Sequence, residues 1–295
     1  KRAYHMALRD GGVNIQDAFY ARKDGSRFFA HATSAPVVVN KKILGVVVVI
    51  RDITKEHETD RAKTEFISLA SHQLRTPLST INWYTEMLLS GDAGKFNASQ
   101  KEYLREISAG NRRMVELVNS LLNVSRLEMG TLTLENATTD IKKITKGVIE
   151  ELKPMVYARK LKIKQQYEKS LSPMSADPKL LRIIFQNLLS NAVKYTPEKG
   201  AVTLEVRTLP SGAILGGQTL AEPALAFTVS DTGYGIPKHQ QEKIFTKLFR
   251  ADNVRALDTE GTGLGLYIVK SIIDRSGGKI WFTSEENKGT TFYVV

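Results

Sequence analysis

The chain contains no cysteine, and this absence excludes disulfide bonds, thiolate zinc sites and cysteine nucleophiles. Because it suits a reducing compartment, we expect a cytoplasmic location for this chain. No apolar run approaches the roughly 18 residues of a membrane span, and no signal peptide is recognisable. The sequence starts at Lys1 without methionine and in mid-pattern. We therefore expect a fragment, and any membrane span would belong to the missing N-terminal part.

Acidic residues are fewer than basic ones, 31 Asp and Glu against 42 Lys and Arg, which gives a formal net charge of +11. A basic chain can bind nucleic acid, but the basic residues here are spread out and form no long basic run. A protein that binds a triphosphate and an acidic protein partner would also be basic, so we expect no nucleic-acid partner. The length of 295 residues predicts about two domains.

Residues 67–88 have the apolar periodicity of a helix with one buried stripe. The stripe consists of Ile67, Ala70, Leu74, Leu78, Ile81 and Leu88. At about 100° per residue, His72 lies roughly 160° away from it, and Thr76 lies near the same outward face. An exposed histidine is by itself most simply a solvated surface residue. Pro77, however, leaves the carbonyl of Gln73 without its amide partner and bends the helix, which suggests that the bend has a use.

This helix is predicted to run from Thr54 to about Ser90. Glycines at 91 and 94 end it, and a second helix, capped by Asn97 or Ser99, continues to about Met129. Its heptad-spaced apolar residues are Leu104, Ile107, Met114, Val118 and Leu121. The two helices make an antiparallel hairpin. Because one hairpin cannot cover both stripes, we expect a second copy to complete a four-helix bundle, and hence a homodimer.

Strands are predicted on both sides of the hairpin. Three strands lie between residues 16 and 53, with an Asp-Gly turn at Asp24. After the hairpin, strands and helices interleave as an α/β sandwich. The predicted strands are 132–135, 161–167, 201–208, 224–230, 279–284 and 290–295, and the predicted helices are 140–158, 177–194 and 264–276. The fold class is thus α+β multidomain, with an antiparallel sheet, a helical hairpin and an α/β sandwich.

A polar helix face in the sandwich is the first of four clusters that can carry chemistry. Asn187, Asn191 and Lys194 lie at steps of four and three, so their polar ends share one face. Amide oxygens suit a Mg²⁺ ion that already holds phosphate oxygens, and an ammonium group suits the phosphates. Taken alone, this face is more simply a polar solvent face.

The other three clusters contain glycine. Asp231 lies at the end of a strand, where its carboxylate can accept a hydrogen bond from an exocyclic amine. Gly233 and Gly235 follow it and let the backbone approach a flat base. Such a pattern is, however, often only a turn. Residues 261–265, Gly-Thr-Gly-Leu-Gly, open a helix whose amides and dipole favour phosphate. Their spacing and position differ from a Rossmann fingerprint, and the Gly-Lys-Ser/Thr of a Walker loop is missing. Gly289-Thr290 precedes the last strand.

These motifs carry a resemblance. His72-Gln73-Leu74-Arg75-Thr76-Pro77-Leu78 resembles the phosphoacceptor box of the sensor histidine kinases of two-component systems. The four clusters, in this order, resemble the GHKL-type ATP-binding domain of histidine kinases, gyrase, heat-shock chaperones and mismatch-repair ATPases. The phenylalanine box at 241–250 resembles histidine kinases specifically. This resemblance runs from about Lys55 to Val295.

A second resemblance concerns the first strands. Lys23-Asp24-Gly25-Ser26 and Arg51-Asp52-Ile53-Thr54 resemble the C-terminal part of a PAS sensor domain. A generic β-meander is the alternative. The domains implied are a PAS-like part at 1–53, a signalling helix and histidine-phosphotransfer hairpin at 54–130, and a catalytic ATP-binding domain at 131–295.

The resemblance implies an ATP-dependent protein-histidine kinase with ATP and Mg²⁺ as cofactors. His72 would take a phosphoryl group from ATP and pass it to an aspartate of a response regulator receiver domain. Asn191 would be the principal Mg²⁺ ligand, with Asn187 beside it. Residues 238–260 would form a mobile lid from which Arg250 reaches the phosphates. The nucleotide would contact Asn187, Lys194, Tyr195, Asp231, Gly233, Gly235, Ile236, Gly261, Thr262, Gly263, Leu264, Gly265 and Thr290.

One position departs from the family pattern. Most members of this kinase class carry Glu or Asp directly after the histidine as the proposed general base, and this chain carries Gln73. An amide can orient the imidazole but cannot take a proton. Because a neutral imidazole already has a free lone pair, we expect autophosphorylation to survive, at a rate equal to or below the usual one. Thr76 matches the phosphatase element of such kinases.

Two other functions remain open. The first is an ATP-hydrolysing machine of the gyrase or chaperone type, in which a glutamate four residues before the metal-binding asparagine activates water. Asn187 occupies that position here, which argues against hydrolysis. The second is a signalling scaffold, or a sensor that acts mainly as a phosphatase, and Gln73 keeps this reading open.

Overall fold

The computed structural model of the chain describes residues 14–40, 42–92, 94–129, 134–255 and 261–295. The chain divides into two compact units, and the division falls between Ile67 and Ser68, inside one long helix. Within these described ranges, no helix has the length and apolar character of a membrane span.

The first unit contains a three-stranded antiparallel sheet of β1 (Asn14–Ala21), β2 (Arg27–Val39) and β3 (Lys42–Asp52), with β2 in the middle. The predicted turn is present, since the Asp24 carboxylate accepts a hydrogen bond from the Ser26 N–H at 2.9 Å. Strand β3 leads into the first helix through Asp52, whose carboxylate accepts from the Thr54 N–H at 3.0 Å. The Thr54 hydroxyl in turn accepts from the Phe29 N–H at 2.9 Å, which fixes the start of the helix on β2.

The hairpin consists of α1 (Thr54–Ser90) and α2 (Ala98–Glu128), close to the predicted bounds. Asn97, and not Ser99, caps α2. The Asn97 side chain accepts from the Gln100 N–H, and the Gln100 side chain accepts from the Asn97 N–H, each at 2.9 Å, which is a capping box. Pro77 lies inside α1, as its sequence position requires.

The apolar stripe predicted on α1 is only partly buried within the chain. Leu78 is buried, but Leu74 is 50% exposed and Ile81 41% exposed. The buried positions of this part of α1 recur every seven residues at Ser71, Leu78 and Thr85. Within a single chain the stripe is thus only partly covered, because one partner helix covers only one side of α1. This agrees with the expectation that one hairpin cannot cover both stripes.

The C-terminal domain is built on a mixed five-stranded sheet with the order β11-β12-β10-β7-β5, in which only β5 and β7 are parallel. Its elements are β4 (Ala137–Thr139), α3 (Ile141–Ala158), β5 (Lys162–Tyr167), β6 (Met174–Ala176), α4 (Pro178–Tyr195), β7 (Ala201–Leu209), β8 (Ile214–Leu215), β9 (Gln218–Thr219), β10 (Ala224–Asp231), a 3₁₀-helix (Lys238–Lys243), α5 (Asp252–Arg255), α6 (Gly265–Arg275), β11 (Ile280–Glu285) and β12 (Gly289–Val294).

Helices α3, α4 and α6 share one apolar core with the sheet. Alternation places Val202, Leu204 and Val206 of β7 in this core, and the rings of Phe185 and Phe227 meet there with centroids 4.6 Å apart. Asp140 and Asp177, the first residues of two predicted helices, are the N-caps of α3 and α4. The main helices and strands of the α/β sandwich are thus confirmed.

Three details differ from the sequence prediction. A strand is predicted at 132–135, but residues 134–135 are not in a strand, and 132–133 lie outside the described residues. The first strand after the hairpin among the described residues is β4, which pairs with β6, a strand that was not predicted. The loop between β7 and β10 contains the small hairpin β8–β9. Leu215 and Leu220 of this loop pack with Trp281 and Tyr293 on the sheet face away from the helices. Such short pairs depend on tertiary packing and leave little periodicity to read.

Candidate functional site

Asp231 ends β10, and its carboxylate is held by backbone. Its Oδ1 accepts hydrogen bonds from the N–H of Gly233 at 2.8 Å and of Thr290 at 3.2 Å. Burial raises the pKa of Asp231 to about 6, and these two hydrogen bonds oppose the rise. In the described part of the chain neither donor uses Oδ2, so this oxygen can accept from the amino group of a flat base.

The two glycines after Asp231 let the backbone pass where a side chain would not fit. A Cβ on Gly233 would overlap the carbonyl of Tyr195 and the Asp231 carboxylate. Gly235 has φ +62°, and a Cβ there would overlap the carbonyl of Glu285. The loop is therefore pressed between the end of α4 and the turn after β11.

Thr290 is buried beside the same loop. Cross-strand pairing places it opposite Ser284, and the two hydroxyl oxygens are 2.8 Å apart. The Ser284 hydroxyl also accepts from the Ile236 N–H at 2.9 Å. Ser284 thus links two of the predicted residues, although no local sequence pattern marks it. Only the strand register identifies it.

The polar face predicted on α4 is half-buried and is formed by Asn187, Asn191 and Lys194. The Asn187 amide donates to the carbonyl of Ile183 at 2.8 Å, so its Oδ1 points away from that carbonyl. Gly265 lies directly against Asn187, because a Cβ on this glycine would overlap Oδ1. The Lys194 ammonium lies 5.9 Å from the ring centroid of Tyr195.

Residues 261–265 form the loop before α6. The Thr262 hydroxyl accepts from the Leu264 N–H at 3.3 Å. Gly263 has φ +68°, and a Cβ there would lie 2.7 Å from the carbonyl carbon of Leu248. Because α6 begins at Gly265, the unpaired N–H groups of its first turn and its dipole favour an anion at this end of the helix.

Gly261 brings two further predicted residues together. A Cβ on Gly261 would lie 3.3 Å from Nε of Arg250 and 3.4 Å from the Tyr195 hydroxyl. A guanidinium, a phenol and a glycine loop therefore meet near the start of α6. A buried acceptor for a base amine at Asp231 and a cationic, amide-rich end near Arg250 are the features that a purine nucleotide with a phosphate chain requires.

The residues present fit a magnesium ion that arrives with phosphate. Among the described residues, no three His, Cys, Asp or Glu side chains are placed to hold a metal ion. Asn187 and Asn191 offer neutral amide oxygens, and Mg²⁺ ordinarily needs carboxylate or phosphate oxygens and waters as well. The protein alone would hold such an ion weakly, whereas a triphosphate would complete its coordination.

The described part of the predicted lid, residues 238–255, is bound to the domain. Its residues Ile244, Ala251 and Val254 are buried, and Ile244 belongs to the apolar core of the domain. The Asp252 N–H donates to Oε1 of Gln240 at 3.0 Å, and the Gln240 amide donates to the Asp252 carboxylate. This segment contains a 3₁₀-helix and α5, so it is not one continuous loop. Residues 256–260 lie outside the described residues.

His72, Gln73 and Thr76 are exposed on α1, as predicted. Next to them, Arg75 donates to Oδ1 of Asn119 on α2 at 3.1 Å. In the described ranges no hydrogen bond or ion pair joins the three residues to the nucleotide-type site. The structure therefore groups the predicted residues into two separate sets.

The end of α2 is fastened to the C-terminal domain. Leu127 is buried in the core of that domain, and Arg275 donates to its carbonyl at 3.1 Å. Glu128 forms an ion pair with Lys247 and accepts a long hydrogen bond from the Tyr267 hydroxyl at 3.4 Å. The last turn of the hairpin is thus linked to the segment that carries Arg250.

Two family models match this chain. Residues 62–130 match the His Kinase A (phospho-acceptor) domain, and residues 176–295 match the histidine kinase-, DNA gyrase B- and HSP90-like ATPase. The fold and site thus define a phosphoacceptor helical hairpin joined to an ATPase domain of this type.

Known histidine kinases are similar to this chain over most of its length. The sensor histidine kinase WalK of Bacillus subtilis is 32% identical over 250 residues, which is 85% of this chain and 39% of WalK. The circadian input-output histidine kinase CikA of Synechococcus elongatus is 34% identical over 235 residues, 79% of this chain and 30% of CikA. Full-length ShkA, solved in complex with AMPPNP, matches with a TM-score of 0.60 and 29% identity over 78% of this chain and 45% of ShkA.

The chain belongs to the sensor histidine kinases, a family of ATP-dependent protein-histidine kinases. It spans less than half the length of WalK and CikA.

Proposed function

We propose that this chain phosphorylates itself on His72 with Mg²⁺-ATP and passes the phosphoryl group to an aspartate of a response regulator receiver domain. One observation carries the proposal: the chain combines an exposed imidazole inside the phosphoacceptor match with a buried carboxylate, Asp231, inside the ATPase match. The structure of ShkA with AMPPNP supports a nucleotide as the ligand here too.

ATP is the nucleotide that suits the base end of the site. Oδ2 of Asp231 would accept from the adenine amino group, whereas the carbonyl oxygen of guanine would be repelled there. Gly233, Gly235 and Ile236 would form the wall against the base, with Thr290 supporting Asp231 from the next strand. Tyr195 would pack near the adenine.

The phosphate end would rest on the loop 261–265 and the first turn of α6, where free amides and the helix dipole favour anions. Lys194 and Arg250 would compensate the phosphate charge. Asn191, with Asn187 beside it, would hold Mg²⁺, which would neutralise part of the phosphate charge.

His72 would act through a lone pair of its neutral imidazole. A bond forms between this nitrogen and the γ-phosphorus, the bond from that phosphorus to the bridging oxygen breaks, and ADP leaves. The proton on the other ring nitrogen is then released to solvent. Gln73 would accept a hydrogen bond from that N–H and fix the ring without taking the proton. Catalysis would therefore come mainly from positioning and charge compensation.

The hairpin would pair with a second copy to form a four-helix bundle. Half-exposed apolar side chains remain on both helices, namely Leu74, Ile81, Ile107 and Met114. Burying these side chains requires another apolar surface, and an identical hairpin offers one.

We further assign residues 1–53 to a PAS-like sensor part, 54–130 to the signalling helix and hairpin, and 131–295 to the catalytic domain. The sheet β1–β3 and its hydrogen-bonded junction with α1 support the first boundary. Because ATP and receiver domains are its substrates, the kinase part would work in the cytoplasm.

Gln73 favours a second candidate, a sensor that acts mainly as a phosphatase. In that direction the Thr76 hydroxyl would orient a water molecule toward the phosphoaspartate of the regulator. Thr76 is exposed one turn from His72, so both reactions would use the same face of α1.

Incubation with γ-labelled ATP and Mg²⁺ tests the proposal. We expect label on the chain that is lost in acid and retained in base, no label on His72→Ala, and transfer to an added receiver domain. Thr76→Ala should keep autophosphorylation and lose phosphatase activity, and Gln73→Glu should hold or raise the kinase rate. Acid-stable label, or full labelling of His72→Ala, would contradict the assignment.

A further inference from the structure

The loop from Gly233 to Pro237, here called the base loop, is held by two side-chain amides from the lid segment. The Gln241 amide donates to the carbonyl of Ile236 at 2.9 Å and to that of Ser284 at 3.1 Å. The Asn253 amide donates to the carbonyl of Gly235 at 3.0 Å and more weakly to that of Tyr234 at 3.4 Å. Consecutive carbonyls of the base loop are thus bound from one side.

Asn253 is itself held in place from both sides along the chain. Its neighbour Asp252 exchanges two hydrogen bonds with Gln240, and its other neighbour Val254 is buried. The orientation of the amide is also determined. A flipped amide would place Oδ1 against the carbonyl oxygens of the base loop, so Nδ2 must face them.

The oxygen of the Asn253 amide lies in an unfavourable environment. Oδ1 of Asn253 is buried and accepts no hydrogen bond from the described residues. A buried acceptor without a donor costs free energy, so folding stability alone gives little reason for an amide here. An apolar side chain would avoid that penalty but would leave the Gly235 carbonyl without this donor.

We propose that Asn253 is a positioning residue for the nucleobase: it fixes the base loop to the lid segment so that the loop keeps its place beside Asp231. This inference rests on the proposed function, because it names what sets the affinity of that same site for ATP. Asn253 acts through the base loop and not on the phosphates, so its loss should change nucleotide binding and leave the rate of phosphoryl transfer nearly unchanged.

The full chain with Asn253→Asp gives the sharpest test. This change keeps the size of the side chain but replaces the donating NH₂ group by a second carboxylate oxygen. That oxygen would face the carbonyl oxygens of Tyr234 and Gly235 and repel them. Asn287→Asp is the matched control. The Asn287 N–H donates to the carbonyl of Tyr234 at 2.7 Å, so the control adds the same charge beside the same loop, but its side chain is exposed.

We expect Asn253→Asp to raise KM for ATP about tenfold and to leave kcat for autophosphorylation within about twofold. Asn287→Asp should change neither constant by more than about twofold. Equal rises of KM in both variants would assign the effect to charge alone and overturn the proposal. A fall of kcat with unchanged KM would overturn it too.

A second variant and a binding measurement keep the test decisive. If Asn253→Asp does not fold, Asn253→Ala removes the donor without adding charge and should raise KM about threefold; an unchanged KM would reject the proposal. Calorimetric binding of ADP separates it from the kinase assignment. A chain that binds ADP but takes no label from ATP would refute the kinase function, and the affinity ratio of wild type to Asn253→Asp would still decide the role of Asn253.

Discussion

The hairpin and the C-terminal domain bury different kinds of side chains. In the described chain, the largest fully buried side chains all lie in the C-terminal domain, and all are Phe, Leu, Ile or Val. In the hairpin, the buried set includes Ser71, Thr85, Ser108 and Asn111. The domain thus has a core of its own, whereas the surface between α1 and α2 is partly polar.

Two asparagines emphasise the contrast. Oδ1 of Asn82 and Oδ1 of Asn111 are buried, and neither accepts a hydrogen bond from the described residues. An open groove of about 300 Å³, lined by residues of α1 and α2, lies beside Asn82. Because apolar side chains meanwhile remain exposed on the outside of the hairpin, we infer that the hairpin needs a second copy, while the nucleotide-binding domain is complete without one.

Breaking the proposed dimer should have the largest effect. Leu74→Glu with Ile81→Glu places charges on the exposed apolar stripe and should remove about 6 kcal/mol of apolar burial per dimer. We expect a monomer at micromolar concentration in analytical ultracentrifugation, with ADP binding unchanged. Thr80→Glu, which lies off the stripe, is the control and should stay dimeric. A wild-type monomer, or a dimeric double variant, would contradict the inferred difference between the two regions.

Asp231→Asn should separate stability from function inside the complete domain. The folded pKa of about 6 lies above the ordinary value of 3.8. The free energy of unfolding is therefore highest below about pH 4, where the Asp231 carboxyl is protonated in both the folded and the unfolded chain. This stability is lost as the pH rises through 6 and the buried carboxyl ionises. At pH 8 the variant avoids a buried charge and should be more stable by about 1–2 kcal/mol, while its ATP affinity falls.

Thermal unfolding without nucleotide, followed from pH 8 to pH 4.5, checks this expectation. The stability gain should narrow below pH 6 and fall to about a third of its value at pH 4.5, which is still above the ordinary pKa of 3.8. Asp274→Asn removes an exposed carboxylate on α6 and should show neither the gain nor the loss of ATP affinity. A variant that is less stable than wild type at pH 8 would mean that the Asp231 carboxylate supports the fold.

Much of this fold could be predicted from the sequence because its signals are local. The caps at Asn97, Asp140 and Asp177, the long heptad pattern and the Asp-Gly turn each lie within a few residues of the structure they specify. The same holds for the clusters around Asn187 and Asp231. Short pairs such as β4–β6 and β8–β9 depend on distant partners and escaped prediction.

The site shows the same limit. Ser284 could be found only once the β11–β12 register was known, and Gln241 and Asn253 only once the lid segment was placed against the base loop. The exposure of apolar residues on α1 could not be predicted for a related reason. Periodicity reveals a stripe, but it does not say whether the same chain or another copy covers it.

Asn111→Leu should make the hairpin more like the C-terminal core. The Asn111 amide donates to the Leu78 carbonyl at 2.9 Å, but its Oδ1 has no donor among the described residues. Leucine removes the unpaired oxygen and adds apolar burial, so we expect a gain of about 1 kcal/mol in unfolding free energy.

Asn119→Leu is the matched control on α2. It removes the acceptor of Arg75 and should not stabilise the chain. Urea unfolding followed by helical circular dichroism measures both variants, and equal gains would contradict the inference.

The smallest expected effect concerns the link between the two regions. Glu128 and Lys247 form an ion pair, and the hydrogen bond from Lys247 to Glu128 raises the pKa of that ammonium above its ordinary value. A raised lysine pKa contributes stability that is complete at neutral pH and is lost only as the pH rises through the folded pKa, above 10.5. Both side chains are partly exposed, so the pair should contribute about 0.5 kcal/mol.

We expect Glu128→Lys and Lys247→Glu each to lower the melting temperature slightly at pH 7.5, and the double exchange to restore most of the loss. Lys288→Glu, which opposes the exposed Glu285, is the control for charge reversal away from the link. If the double exchange is no better than the sum of the single changes, the ion pair does not couple the hairpin to the domain, and the link rests on other contacts, such as buried Leu127 and the hydrogen bond from Arg275 to its carbonyl.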